Sequence, residues 1–128
     1  MIATDHAPHS AEEKVKGLRG SAMGVVGIET AFPLLYTYLV ETGKMPLEML
    51  IDRMADAPRR RFRIDGGMQV GDKAAVTVFD LHAREKIDPN TFLSKGRATP
   101  FEGWKVHAAC RLTICGDKIA YNALSRKE

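Results

Sequence analysis

A short polar segment near the start of the chain carries the residues best suited to chemistry. It places the carboxylate of Asp5 and the imidazoles of His6 and His9 within five residues, directly after Ile2 and Ala3. A carboxylate in this position can bind a divalent metal and take a proton from metal-bound water. His9 can donate a hydrogen bond to a bound anion. A plainer interpretation stays open, in which Asp5 caps a turn and both histidines are exposed.

The elements around this segment are predicted to be a strand before it and a long loop after it. Residues 2–4 have the character of a strand that ends at Asp5. Residues 6–27 contain four glycines and show no clear periodicity. A structureless stretch of this length inside a compact domain is typical of a functional loop.

Two helices are predicted next. Apolar spacing over residues 28–42 indicates a helix with Thr30 as a possible N-cap and Gly43 as its terminator. A second helix is expected to open at Pro46 and to stop at Pro58. A further short helix is possible over residues 58–64.

The second half of the chain has a different, β-rich character. Alternating apolar residues over about 68–122 predict a small antiparallel sheet, and Gly116-Asp117 is typical of a hairpin turn. The sequence therefore divides into residues 1–65, with the loop and helices, and residues 66–128, a small β domain.

Length and composition set limits on the fold. The chain has 128 residues, of which 45% are hydrophobic and 27% charged, and its net charge is +3, which predicts an ordered globular domain. A complete (β/α)₈ barrel needs roughly 250 residues. No apolar run is long enough for a membrane span, and no leader pattern is expected. Cys110 and Cys115 lie five apart on one predicted strand, so their side chains should face opposite ways without a disulfide, as in a cytoplasmic protein.

A basic cluster provides a different hypothesis. Its members are Arg59, Arg60, Arg61 and Arg63. Such a cluster is usually a solvated helix face, and less often a contact for a polyanion. A basic binding module is therefore kept as an alternative from another class.

Several segments together resemble bacterial dihydroorotases, which are members of the amidohydrolase superfamily. In chain order they are Thr4-Asp5-His6-Ala7-Pro8-His9, Glu12-Glu13-Lys14, residues 24–37, Ser94-Lys95-Gly96, and Thr99-Pro100-Phe101-Glu102-Gly103-Trp104. The resemblance covers essentially the whole chain. Hydantoinases and allantoinases are similar in the first segment but usually lack its second histidine.

The resemblance implies an α/β fold: the C-terminal fragment of a (β/α)₈ metal-dependent hydrolase barrel plus a portion of a small β-sandwich. In the complete enzyme it implies zinc-dependent, reversible hydrolysis of dihydroorotate to N-carbamoyl-L-aspartate, in pyrimidine biosynthesis. One or two zinc ions and a small-molecule substrate are expected. The expected partner is either another copy of the chain in a homo-oligomer or a missing N-terminal portion. Binding to nucleic acid or to a membrane is not expected.

The resemblance also implies roles for four residues. Asp5 corresponds to a metal-binding aspartate that is also the general base and acid. His9 corresponds to a histidine that contacts the substrate carboxylate. Met23 and Gly24 correspond to a loop pair whose backbone contacts the substrate. The family often has Phe in place of Met23, and a backbone contact tolerates that change.

Other features of the family have no counterpart in this sequence. A His-X-His pair, a bridging acid or carboxylated lysine, and two further histidines are absent. His82 is predicted to lie at the surface and His107 to be structural. Ala75 and Ala98 also depart from the family pattern, away from the chemistry. Because a catalytic zinc takes three or more protein ligands, this chain alone is expected to be inactive and to hold no zinc tightly.

Two alternatives to this interpretation stay open. A hydantoinase or allantoinase is the nearest other enzyme. A dihydroorotase-like chain without catalysis, serving as an interaction subunit, belongs to another class.

Overall fold

The computed structural model describes residues 1–66 and 68–124. Its helices are α1 (Ala11–Lys14), α2 (Gly17–Gly20), α3 (Ala31–Leu35), α4 (Leu47–Ile51) and α5 (Ala57–Phe62), and its strands are β1 (Ala75–Lys86), β2 (Lys105–Cys115) and β3 (Lys118–Asn122). π-helical turns continue α3 over Tyr36–Val40 and α4 over Asp52–Asp56, and a 3₁₀ turn covers Pro89–Thr91. Gly67 and residues 125–128 of the predicted β domain lie outside the described residues.

The first predicted helix is confirmed in position and shortened at its ends. It runs from Ala31 through Val40. Thr30 occupies the N-cap position, but its hydroxyl donates to the carbonyl of Gly27 at 3.4 Å instead of accepting from the helix. Gly43 has φ +73° and donates to the carbonyl of Val40, so the predicted terminator is confirmed.

The predicted stop at Pro58 is wrong. α4, its π-helical turn and α5 follow one another without a break, and Pro58 lies in the first turn of α5. The π-helical turn changes the hydrogen-bond spacing just before the proline, which lacks an N–H donor, so the helix can continue. The helix ends instead at Arg63, whose backbone is left-handed with φ +54°. Pro46 precedes the first helical residue rather than being it.

The N-terminal segment also differs from the prediction. No strand forms over residues 2–4; Ile2 instead donates to the carbonyl of Arg53 at 2.9 Å. A strand needs a neighbour, and the described residues supply only one isolated parallel bridge, between His6 and Val25. The predicted loop over residues 6–27 is not structureless, since it contains α1 and α2.

The predicted antiparallel sheet is confirmed, with strand order β1-β2-β3. Register shifts in β1 fall between Val78 and Phe79 and between Asp80 and Arg84. The hairpin turn follows Cys115, and Gly116 has φ +65°. Both cysteines are free, as predicted.

The hydrophobic core lies between the two halves of the chain. Val26 from the loop packs with Ile87, Phe92 and Val106 from the β half. The Glu29 carboxylate reinforces this contact by accepting from the backbone N–H groups of residues 93 and 94, at 2.8 and 3.0 Å. The division near residue 65 stays a prediction, and the two halves share one core. The end of the loop is therefore fixed by the sheet region.

Candidate functional site

A capping box fixes the start of α1 directly after His9. The backbone N–H of Glu13 donates to Oγ of Ser10 at 3.3 Å, and the backbone N–H of Ser10 donates to the Glu13 carboxylate at 2.9 Å. This reciprocal pair satisfies N–H groups that a helix start leaves without partners. His9 therefore lies just before this single helical turn, and Lys14 is its last residue.

Three consecutive backbone carbonyls turn toward these two side chains. Nζ of Lys14 donates to the carbonyls of Ala22 and Gly24, both at 2.9 Å. Nε2 of His9 lies 2.7 Å from the carbonyl oxygen of Met23. Because a carbonyl can only accept, Nε2 carries the proton. Lys14 and His9 thus hold the segment of residues 22–24, which is called here the substrate loop after the role proposed for it below.

This arrangement orients the amides of the substrate loop. In a trans peptide the N–H points opposite to the C=O of the same peptide unit, and no peptide bond among the described residues is cis. The N–H of Met23 therefore points away from the Lys14 ammonium, and the N–H of Gly24 points away from the His9 ring. Within residues 1–66 and 68–124, neither amide has a hydrogen-bond acceptor. Both donors are therefore without a protein partner in this part of the chain.

Gly24 is required by a close approach of two backbone segments. Its φ is +126°, and a Cβ there would lie 2.5 Å from Cβ and 2.6 Å from the carbonyl oxygen of Ala7. The N–H of Ala7 also donates to the carbonyl of Val25 at 3.0 Å. The absence of a side chain at Gly24 lets the substrate loop lie against the Asp5–His9 segment.

Asp5 is exposed and has a left-handed backbone with φ +47°. Asp and Asn tolerate this conformation better than other residues with a side chain. His6 and His9 are half-buried, so the interpretation of both histidines as exposed is wrong. Nδ1 of His6 accepts from the N–H of Gly27 at 3.2 Å, which ties the Asp5–His9 segment to the loop end.

The electrostatics near His9 are set by Glu13. Hydrogen bonds from the backbone and hydroxyl of Ser10, with a smaller contribution from His9, lower the pKa of Glu13 below its ordinary value of 4.5. Glu13 is therefore ionised at neutral pH. Its carboxylate lies 3.6 Å from Nδ1 of His9. The imidazole is thus held between a carboxylate and a carbonyl.

The described residues do not form a metal centre. In residues 1–66 and 68–124, no three His, Cys, Asp or Glu side chains come together as a metal site would require. His82 is exposed, as predicted. His107 lies 2.7 Å from the Glu41 carboxylate and its N–H donates to Thr37, which confirms a structural role. Asp5 offers a single ligand, so the zinc implied by the resemblance does not fit these residues alone.

The basic cluster is largely engaged within the protein. Arg60 pairs with Asp52 at 2.6 Å, and Arg59 donates to the carbonyl of Gly66 at 2.9 Å. Arg61 lies over the ring of Phe62. These contacts favour the helix-face interpretation over a polyanion site. No helix within the described residues is long and apolar enough to cross a membrane.

Two contributors to the site were not predicted from the sequence: the Lys14 side chain and the capping box of Ser10 and Glu13. Lys14 stands out only as part of a resembling segment, and no local rule connects a lysine to carbonyls eight and ten residues away. The Ser10-to-Glu13 spacing, in contrast, is that of a capping box and could have located α1. Asp5, His9, Met23 and Gly24 lie in the two segments that the structure brings together.

Comparison with known proteins adds the family context. No protein-family model matches the chain. It is 52% identical over 122 residues to the dihydroorotase of Anoxybacillus flavithermus, and 51% identical to dihydroorotases of Bacillus cereus and Bacillus thuringiensis. Each match covers 94% of this chain and 28% of the relative.

A solved structure matches as well. The L-hydantoinase (dihydropyrimidinase) from Arthrobacter aurescens superimposes with a TM-score of 0.82 at 31% identity, over 93% of this chain and 28% of that one. The chain is thus similar in sequence to dihydroorotases and in structure to an L-hydantoinase. More narrowly, the resemblance to dihydroorotases is confirmed over nearly the whole chain. Because the chain spans 28% of the length of these relatives, neither the barrel nor the whole enzyme's activity follows from the matches alone.

Proposed function

We propose that this chain is the C-terminal segment of a dihydroorotase. In that enzyme, the cyclic amide of dihydroorotate is hydrolysed reversibly to N-carbamoyl-L-aspartate, a step of pyrimidine biosynthesis in the cytoplasm. The observation that carries the proposal is that the amides of Met23 and Gly24, which have no acceptor among the described residues, lie in a loop packed against the Asp5–His9 segment. It is supported by the 52% identity to a dihydroorotase.

Each site residue receives a role in this proposal. Asp5, which is exposed, accepts the proton of the attacking water and returns it to the leaving amide nitrogen. The N–H groups of Met23 and Gly24 donate to the oxygen atoms of the substrate. His9 holds the substrate loop through the Met23 carbonyl, and in its doubly protonated form it would also donate from Nδ1 to a substrate carboxylate.

Zinc is the proposed cofactor of the complete enzyme. When bound, zinc lowers the pKa of water, so that hydroxide is available at neutral pH. Asp5 is one donor, and the remaining ligands have to come from outside the described residues. A homo-oligomer or a further portion of the polypeptide would provide the partner surface, and the substrate is a small molecule.

A hydantoinase or allantoinase is the second candidate. The similarity of the structure to an L-hydantoinase favours it, with a TM-score of 0.82. The higher sequence identity to dihydroorotases favours the first candidate.

A substrate panel on the natural full-length protein separates the candidates. We expect zinc-dependent hydrolysis with the highest kcat/KM for dihydroorotate, compared with hydantoin and allantoin. Preference for hydantoin or allantoin would transfer the assignment to the second candidate. Hydrolysis of none of the three, by folded and zinc-supplied protein, would leave the noncatalytic interaction subunit.

A further inference from the structure

Lys14 makes an unusual pair of contacts for a lysine of a surface helix. Its half-buried side chain crosses from α1 to the substrate loop and binds the carbonyls of Ala22 and Gly24, each at 2.9 Å. Within the part of the chain that the structure describes, no carboxylate lies in ion-pair range of its ammonium. The charge of Lys14 is therefore directed at peptide dipoles of the loop.

The contact with Ala22 acts on the Met23 amide, because both groups belong to the same peptide, whereas the contact with Gly24 acts on the peptide that carries the Val25 N–H. The carbonyl of Ala22 and the N–H of Met23 belong to one planar unit, so fixing the first fixes the second. A cation at the carbonyl oxygen also polarises the unit and strengthens its N–H as a donor. His9 has the same relation to the next unit, through the carbonyl of Met23 and the N–H of Gly24.

The base of this arrangement is rigid. Ser10 and Glu13 cap α1, and the N–H of Ala22 donates to the carbonyl of Glu13 at 3.0 Å. The hydroxyl of Ser21 donates to the carbonyl of Lys14 at 2.9 Å. Two hydrogen bonds thus join α1 to the start of the loop, and the Lys14 side chain adds contacts with the carbonyls of Ala22 and Gly24.

We propose that Lys14 is a positioning residue: through the Ala22 carbonyl it aims and polarises the Met23 amide, while His9 aims the neighbouring Gly24 amide, and both amides meet the substrate. This proposal rests on the proposed function, since dihydroorotate is the anion that the amides would bind. Lys14 itself touches only the loop carbonyls. Its loss should weaken substrate binding more than it slows the bound reaction.

The test compares Lys14→Met with Lys14→Arg and Lys16→Met in the natural full-length protein, supplied with zinc. Lys16 is the matched control, an exposed lysine two residues away with no hydrogen bond or ion pair within the described residues. For K14M we expect KM for dihydroorotate to rise about tenfold with kcat changed less than about threefold. K14R should recover most of the loss and K16M should match the unchanged protein. Should K14M not fold, Lys14→Gln takes its place, because glutamine keeps one amide donor without the charge.

Other outcomes contradict the proposal in distinct ways. A KM for K14M within about twofold of the unchanged protein would overturn it. So would a fall in kcat at constant KM, which is what partial loss of folded enzyme produces. If the unchanged protein does not hydrolyse dihydroorotate, the proposed function fails instead. In that case, hydrogen-exchange rates of the amides of residues 20–26 test the Lys14 contact. The Ala22 amide should exchange faster in K14M than in the unchanged protein, and at an unchanged rate in K16M. Equal exchange rates in the two variants would refute the contact.

Discussion

His9 donates a hydrogen bond from Nε2 to the carbonyl oxygen of Met23, at 2.7 Å and across fourteen residues of sequence. The bond joins the segment that contains Asp5 to the substrate loop. It also requires a proton on Nε2, because a carbonyl oxygen can only accept. The other ring nitrogen of His9, Nδ1, lies 3.6 Å from the Glu13 carboxylate.

Replacement of Gly24 tests the close approach of the two segments. Gly24→Ala should lower the free energy of unfolding by about 2 kcal/mol or more, because left-handed strain adds to a clash with the backbone of Ala7. Gly17→Ala is the control. Gly17 also has positive φ, +73°, but a methyl group there would meet nothing within 4 Å, so this variant should lose only about 1 kcal/mol. Urea unfolding of both variants gives the comparison, and equal losses would contradict the close approach.

The capping box predicts a pH dependence. The folded pKa of Glu13 is depressed, chiefly by the Ser10 N–H and hydroxyl and less by His9. A depressed carboxyl stabilises the fold above its unfolded pKa, and this contribution is lost as the pH falls through the folded value. The amide proton of Ser10, which donates to this carboxylate, should therefore titrate with a midpoint below 4.5 in NMR spectra. In Glu13→Gln the same resonance should not titrate, and a midpoint at or above 4.5 would refute the capping box in solution.

The chain by itself should neither hold zinc tightly nor remain dispersed. Several apolar side chains are more than half exposed: Val15, Leu18, Met23, Ile28, Phe62 and Met68. Apolar surface of this kind promotes association. Light scattering of the 128-residue chain should report self-association, and zinc titration should show no stoichiometric tight binding. A monodisperse monomer that holds zinc and hydrolyses dihydroorotate would contradict this prediction.

Local sequence patterns predicted the parts of the fold that depend on local physics. The alternation around β1 and β2 and the turn at Gly116 are set by neighbouring residues, and the sheet is as predicted. The continuous helix through Pro58 was missed because a π-helical turn, which no simple spacing reveals, absorbs the missing donor. The strand expected at residues 2–4 failed because a strand depends on a partner elsewhere.

The candidate site shows the same division. Asp5 and His9 stand out by residue type and spacing, whereas Met23 and Gly24 are singled out only by the resemblance to dihydroorotases. The need for glycine at position 24 comes from Ala7, seventeen residues earlier, and the role of Lys14 comes from contacts across the loop. Such contacts appear only when the backbone path is known.

Asp5 provides the most direct test of the account, in the natural full-length protein with zinc. Asp5→Asn keeps a residue that tolerates φ +47° but removes the proton acceptor, so fold and unfolding midpoint should be unchanged. The measurement is kcat/KM for dihydroorotate, with the exposed Asp65 replaced by Asn as the control. We predict a loss of about 10³-fold or more for Asp5→Asn and none for Asp65→Asn. Turnover by the Asp5→Asn protein within about tenfold of the unchanged protein would contradict the central claim that this chain supplies the proton-transfer group of a dihydroorotase.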